Sequence, residues 1–209
     1  MGKFVQYGCG LSAPASWDNY DASPTLRLQK LPLVGSLVGG PPFPKSVRYG
    51  DIRNGLSLPT NSVEAVYCSH TLEHLSLEDF RTALRETHRI LRQGGVFRFV
   101  LPDLRRIATK YVQSTSPQAC IAFMEESLLG RKQRPKGFQG LLRSWLGNSE
   151  HLWMWDFESM QPELTQAGFV NVRRATFSDS SIAQFKDVED PDRWNGELGV
   201  ECQKPTANA

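Results

Sequence analysis

Residues 63–101 read VEAVYCSHTLEHLSLEDFRTALRETHRILRQGGVFRFVL, and the succession of patterns in this run decides the fold. Val63 to Cys68 is a short apolar run of strand length. Phe80, Ala83, Leu84, Thr87, Ile90 and Leu91 then fall on one stripe at helical spacing. Ser76 predicts the N-cap of that helix, with Asp79 in a box-like position three residues on. Arg89 and Arg92 suit its last turn, and Gly94-Gly95 predicts its stop. Val96 to Leu101 is almost continuously apolar, as in strands of parallel sheets covered on both faces. Arg98 is its one charge. The run is therefore a βαβ unit, and the turn inside it, Cys68 to His74, carries two of the four histidines of the chain.

Upstream, Phe4 to Tyr7 predicts a first strand, closed by Gly8-Cys9-Gly10, where backbone can approach a ligand. Trp17 to Asp21 predicts a second strand ending in an acid. Asp21 either takes the two hydroxyls of a ribose or serves as a turn acid before Ser23-Pro24. Leu26 to Val38 is loosely helical, and Val47 to Asp51 predicts a third strand ending in another acid. Downstream of Asp103, Leu104, Ile107, Tyr111 and Val112 mark a short helix. Ser116-Pro117 opens another, closed by Gly130. Residues 127–149 contain no acid; Arg131, Lys132, Arg134, Lys136 and Arg143 make this span either a solvated lid or a cationic surface for an anionic substrate. The aromatic run His151 to Asp156 leads into a helix that ends before Gly168. Two more strands follow, the last over Leu198–Gln203, with an acidic loop of Asp187, Glu189, Asp190 and Asp192 between them.

The 209 residues suit one domain over 1–209 with an inserted helical and basic lid at 104–150. At 40% apolar content the chain can fill a core. The net charge of +2 does not by itself point to nucleic acid. No apolar run approaches a membrane span, and the first residues lack a signal-peptide core. Cys9, Cys68, Cys120 and Cys202 lack paired spacing and read as free thiols of a reducing cytoplasm. Alternating strands and helices predict an α/β fold, a Rossmann-like three-layer sandwich with a mostly parallel sheet and an antiparallel last strand.

Taken in order, Tyr-Gly-Cys-Gly, Trp-x-x-x-Asp, Gly-Asp-Ile, Leu-Glu-His-Leu and Leu-Arg-Gln-Gly-Gly resemble the class I S-adenosylmethionine-dependent methyltransferases, in particular the type 11 group. The resemblance covers residues 4–103 and resumes at His151–Asp156, Ala167–Phe169 and Val200–Lys204. It implies a cytoplasmic enzyme whose cofactor is S-adenosylmethionine. Gly8, Cys9 and Gly10 would flank the methionine part, Asp21 would take the ribose, and Asp51 with Ile52 would meet the adenine. Ser69 and His70 would sit near the reactive end. The chain departs from the family pattern at Gln6 and Ser12, where an acid and a third glycine are usual. The ten residues between Gly10 and Asp21 leave no room for a full helix.

Methyl transfer needs proximity and alignment, and an oxygen or nitrogen acceptor can also need a base. His70, Asp103 and His151 are the catalytic candidates, with His74 beside them. The expected acceptor is a hydroxyl or amine of a small molecule or glycan, such as an anionic sugar or nucleotide-linked sugar. The alternatives are a catalytically silent nucleotide-binding module of the same fold, or an RNA methyltransferase. A nicotinamide oxidoreductase would need a third glycine opening a helix, and this chain lacks both. His70 to His74 fits H-x-x-E-H literally, but a zinc protease needs that motif inside a helix. Some methyltransferases of the resembled family hold a divalent metal through Glu-x-x-Glu-His here; His70 replaces the first Glu. Two readings follow: His70, Glu73 and His74, with His151, hold a metal, or Glu73 and His74 cap and brace the following helix; the expectation is the second, with no metal in the site.

Overall fold

The computed structural model describes residues 2–31, 39–130 and 150–206. Seven strands form one sheet. They are β1 (Phe4–Tyr7), β2 (Asp18–Asp21), β3 (Arg48–Tyr49), β4 (Val63–Ser69), β5 (Leu91–Leu101), β6 (Val170–Ala175) and β7 (Leu198–Gln203). Their order is β3-β2-β1-β4-β5-β7-β6. β1 to β5 pair in parallel, and β7 runs antiparallel to both β5 and β6. The expected mostly parallel sheet with an antiparallel last strand is found. The strand order reverses between β1 and β4, and in such sheets the crevice at the carboxyl ends of those two strands receives the ligand.

The helices are α1 (Pro24–Gln29), α2 (Leu77–Ile90), α3 (Leu104–Gln113), α4 (Ala119–Glu126), α5 (Phe157–Gln166) and α6 (Pro191–Trp194). In α2, the Ser76 hydroxyl accepts from the Asp79 amide, as the sequence predicts, and Phe80, Ala83, Leu84, Thr87 and Ile90 are its buried face. α2 stops four residues before its predicted end. Leu91 is already extended and pairs with Val63, and the next pairing is Ala65 with Val96. Five residues of β5 thus pass two of β4. Gly94, at φ +70°, lies in this excess, so the glycines shape a break in strand register rather than a helix cap. α4 begins two residues after the predicted Pro117, because Ser116 turns the chain first by accepting from the Gln118 amide. α5 has a reciprocal capping box between Asp156 and Ser159.

Strand alternation divides the core in two. Val5, Tyr7, Val66, Cys68, Phe97, Phe99, Val200 and Cys202 face α2 and α5, whose Phe80, Leu84, Met160 and Leu164 complete that layer. The opposite face presents Ala65, Tyr67, Val96 and Val100. It is covered by Trp17, Phe185, Val188 and Trp194, from loops and short helical turns. Arg98 lies on this second face, fully buried. It is bonded to Glu189, Asp179, Glu201 and the Thr176 carbonyl. Its guanidinium stacks 4.5 Å from the Trp194 ring centroid. The one charge of an apolar strand is thus the anchor that ties the 176–194 segment onto the sheet. Among the described residues no helix is long and apolar enough to cross a membrane, and Cys9, Cys68, Cys120 and Cys202 are free thiols.

Candidate functional site

The crevice between β1 and β4 is bounded by Gly8–Gly10 on one side and Ser69–Thr71 on the other. Gly8 and Gly10 both have left-handed backbone, at φ +63° and +54°. A side chain at Gly8 would strike the Thr71 hydroxyl, whose oxygen lies 2.1 Å from the Cβ position. At Gly10 a Cβ would meet open space. The two glycines therefore do different work: one lets the β1 and β4 turns touch, and the other keeps the crevice open. Cys9 between them is buried, and burial together with the nearby Asp21 carboxylate pushes its thiol up to about 12. It is a packing residue, not a thiolate.

Asp21 is buried at the end of β2. One carboxylate oxygen accepts from the Gly10 amide and the other from the Ser23 amide, each at 2.8 Å. Asp21 is thus a turn acid that stands at the crevice and holds the glycine turn in place. The predicted absence of a helix between β1 and β2 is also found. The Gln6 amide group donates to the Ser12 carbonyl and to Asn19 Oδ1, and Asn19 donates to the Pro14 and Trp17 carbonyls. A carboxylate at position 6 could not donate either bond. The usual acid is replaced because a short loop needs donors from beneath.

Asp51, expected to meet the adenine, stands at the end of the β3 turn and is buried. Its carboxylate caps the turn Ile52–Asn54 and accepts from the Arg53 guanidinium at 2.7–3.1 Å and from Asn54 Nδ2 at 3.2 Å. Burial opposes its charge, but Arg53 and Asn54 outweigh burial and hold it below the usual carboxylate range. These bonds compete with an adenine amino group. Ile52 is buried in the core facing α2.

At the end of β4, Ser69 receives Arg193 of α6. The guanidinium Nε donates to Ser69 Oγ at 2.7 Å, and a terminal nitrogen donates to the Ser69 carbonyl at 3.1 Å. His70 follows in left-handed backbone at φ +48°, uncommon outside glycine and asparagine. Its Nε2 meets the Arg193 carbonyl at 3.0 Å and its Nδ1 faces Glu73 Oε1 at 3.5 Å. Burial disfavours imidazolium there, but Glu73 and the Arg193 carbonyl outweigh burial and raise the His70 pKa above its ordinary value.

Glu73 is the residue that sequence reasoning undervalued. It is fully buried and neither carboxylate oxygen has a hydrogen bond of ordinary geometry. His74 Nε2 lies 3.9 Å from its Oε1 and His151 Nε2 lies 4.0 Å away. Glu73 and His74 do not cap α2, as expected of them; they form a separate helical turn, Leu72–His74. Burial and the neighbouring His74 lower the His151 pKa against the pull of Glu73. The convergence joins residues 78 apart in sequence and no local pattern announces it. His151 and His70 are thus brought together through Glu73. Asp103 stands apart: its carboxylate caps α3 through the Arg105 and Arg106 amides and lies 3.7 Å from Arg174. The cationic residues Arg131 to Arg143 lie outside the described residues.

A family model described as a methyltransferase domain matches residues 20–99. No curated protein matches the chain. Among solved structures, a Thermotoga maritima S-adenosylmethionine-dependent methyltransferase, a possible histamine N-methyltransferase, is similar at 15% identity and a TM-score of 0.52, over 98% of this chain and 83% of that one. The methyltransferase in complex with the Haloferax volcanii Trm112 methyltransferase activator is similar at 15% identity and a TM-score of 0.50, with the same coverage. An Archaeoglobus fulgidus S-adenosylmethionine-dependent methyltransferase is similar at 14% identity and a TM-score of 0.50, over 97% of this chain and 86% of that one. These likenesses show the fold, and the match to the methyltransferase-domain model falls on β2 through β5.

Proposed function

We propose that this protein is a class I S-adenosylmethionine-dependent methyltransferase that methylates a hydroxyl or amine of an anionic small molecule, such as a phosphorylated or nucleotide-linked sugar, with residues 104–150 forming the acceptor-side lid. The observation that carries the reading is the contact between Arg193 and Ser69 at the mouth of the crevice. A guanidinium held by hydroxyl and carbonyl oxygens has a better partner in a carboxylate or phosphate, which it meets with paired, charge-assisted bonds. The acid-free span 127–149 adds cationic residues between α4 and His151. Arg105, Arg106 and Lys110 on α3 are spoken for by Glu158, Glu126 and Asp156.

The crevice residues fit the cofactor. Gly10 leaves room beside the backbone, and the buried Asp21 keeps lone pairs free for a diol after accepting two amides. When bound, S-adenosylmethionine supplies a methyl group activated by the sulfonium charge. This chain's own contribution is alignment. Arg193 would hold the acceptor's anionic group and Ser69 would be released to it. His70 is the titratable side chain closest to the end of β4, and it would receive the acceptor's proton. Asp103 is engaged in the α3 cap and His151 is buried, whereas His70 is half-buried beside Ser69, and Glu73 would stabilise its imidazolium once it takes the proton.

Calorimetry with S-adenosylhomocysteine and with nicotinamide dinucleotide, followed by methyl-transfer assays, tests this reading. The acceptor panel pairs phosphorylated sugars with their neutral forms and includes RNA. Transfer that depends on the phosphate and falls in Arg193→Ala supports it. Transfer to neutral acceptors alone, or to RNA alone, refutes it. Binding of neither cofactor would mark a silent module. His70→Asn should abolish turnover while homocysteine-analogue binding persists; unchanged turnover ends its role as base.

A further inference from the structure

We propose that Glu73 is the positioning residue of the reaction, holding His70 in the tautomer whose Nε2 can take a proton, and that the acceptor atom is therefore a hydroxyl oxygen rather than an amine nitrogen. The inference rests on the reading of His70 as the base and narrows its acceptor.

The hydrogen-bond roles of the three imidazoles around Glu73 lead to it. His74 Nδ1 lies 2.9 Å from the Glu150 carbonyl, and His151 Nδ1 lies 2.8 Å from the Ser127 carbonyl. A carbonyl only accepts, so both Nδ1 atoms carry the proton, and in the neutral rings each Nε2 is a bare lone pair. Those lone pairs face Glu73 Oε1 from 3.9 and 4.0 Å and can donate nothing to it. His70 is turned the other way round. Its Nδ1 faces the same oxygen, and at 3.5 Å it is the nearest of the three rings. The charge of a fully buried carboxylate, without a bond of ordinary length, is thus directed at one donor, the His70 Nδ1–H. Catalytic hydrogen bonds of this length tighten when substrate binds. Both partners are held from behind: His70 by its left-handed backbone at φ +48°, and Glu73 by the Leu152 and Trp153 amides, which donate to its carbonyl at 2.8 and 3.2 Å.

The two protons of the His70 imidazolium are held unequally. The Nε2–H meets the neutral Arg193 carbonyl at 3.0 Å, whereas the Nδ1–H meets a carboxylate, the stronger acceptor. When the ring gives up one proton, it is the one on Nε2. The neutral tautomer keeps Nδ1–H on Glu73 and presents a bare Nε2 beside Ser69, where Arg193 would bring the acceptor. A buried carboxylate sets the imidazole tautomer of a serine-hydrolase triad by the same means.

The same charges choose the acceptor atom. The mouth of the crevice presents the Arg193 guanidinium and an imidazole that Glu73 biases toward its cation against burial, while Glu73 itself is buried behind the ring. An ammonium group meets like charge there. An amine attacks as the neutral base and needs no prior help, whereas a hydroxyl sheds its proton as it reacts. In that step the hydroxyl oxygen bonds the methyl carbon, the carbon–sulfur bond breaks with its electron pair left on sulfur, and the hydroxyl proton passes to His70 Nε2. The imidazolium so formed is the state Glu73 favours, and it later returns the proton to water.

Nitrogen-15 spectra of the histidine-labelled full chain, recorded against pH without cofactor or acceptor, read the tautomer directly. The signals lost in His70→Asn identify the ring. Above its titration, His70 should carry its proton on Nδ1. In Glu73→Gln the titration should move to lower pH and the Nδ1–H preference should disappear, because the amide NH2 can donate to Nδ1; Glu73→Asp should restore part of both. With a phosphorylated amino sugar, which offers both acceptor atoms, product analysis should find the methyl group on oxygen. Glu73→Gln should lower kcat roughly 100-fold, the low end of a general-base contribution, with KM little changed. Nε2–H as the main tautomer of the wild type, a tautomer unchanged in Glu73→Gln, or a methyl group on nitrogen would overturn the proposal. If S-adenosylhomocysteine does not bind, the methyltransferase reading falls and the acceptor claim with it, while the spectra still decide what Glu73 does to His70. The wild-type spectrum decides that point even if a variant does not fold.

Discussion

Replacing Arg98 by methionine should cost about 3–5 kcal/mol of stability, the range for removing one partner of a buried ion pair. The figure follows from what is left behind. Glu201 and Asp179 would both keep Arg173, at 2.7 and 2.8 Å. Glu189 is fully buried and loses its only cationic partner among the described residues, keeping one bond from the Ser178 amide at 2.9 Å. Methionine fills much of the volume of the arginine stem, so the loss is electrostatic rather than a cavity. For a protein of this size about 1 kcal/mol shifts the melting temperature by roughly 2–4 °C, so the expected fall is roughly 6–20 °C. Urea unfolding followed by circular dichroism measures the energy directly. The double replacement Arg98→Met with Glu189→Gln should recover most of it, because the uncompensated charge is gone. A single-mutant loss below about 1 kcal/mol, or a double mutant no more stable than the single, would refute the assignment of Arg98–Glu189 as the anchor of the second sheet face.

Asp21→Asn sets an amide nitrogen against either the Gly10 or the Ser23 N–H, both of which now point at carboxylate oxygens. Losing a charge-assisted bond of about 1.5–3 kcal/mol should weaken S-adenosylhomocysteine binding roughly 10–100-fold by calorimetry, and unchanged affinity would remove Asp21 from the cofactor site. Gly8→Ala should destabilise the fold more than Gly10→Ala: both incur the left-handed penalty of about 1–2 kcal/mol, but only the first collides with Thr71, and equal melting temperatures would contradict that difference. His88, whose pKa is lowered by burial and by Lys204, makes stability depend on pH. Its folded pKa lies below the unfolded value of about 6.5, so its contribution is fully present above that value and is lost as pH falls through the folded pKa. His88→Gln should flatten the stability profile in that window, and an unchanged slope would show that His88 is not its source.

Periodicity and boundary residues made much of the fold legible. α2 and its Ser76 cap could be read because the stripe and the cap are local, and β7 matches the predicted Leu198–Gln203 to the residue. The start of β5 could not, because Leu91 satisfies the helical stripe and the strand equally well, and only pairing with Val63 decides. The ion pair of Asp51 with Arg53, two residues away, is local and lies within the span that the family pattern covers. Arg98 made sense only once its sheet face and its carboxylates, up to 103 residues distant, were known. The site divides the same way. Gly8, Gly10 and Asp21 belong to strand ends and could be placed from sequence, whereas Glu73 and His151 meet through tertiary packing, and Arg193 carries no signal in its own neighbourhood.

The loop clasped by Gln6 and Asn19 also determines which ligands the crevice refuses. A helix beginning after the glycine turn would aim its positive end and free amides at a bound pyrophosphate. Here the chain runs from Gly10 to Trp17 without one, and the Gly10 amide is spent on Asp21. The crevice floor is thus electrically quiet beside a buried carboxylate, a setting that repels a dinucleotide's phosphates and tolerates the positive sulfur of a sulfonium. The short loop thus exchanges anion affinity for tolerance of a cationic ligand.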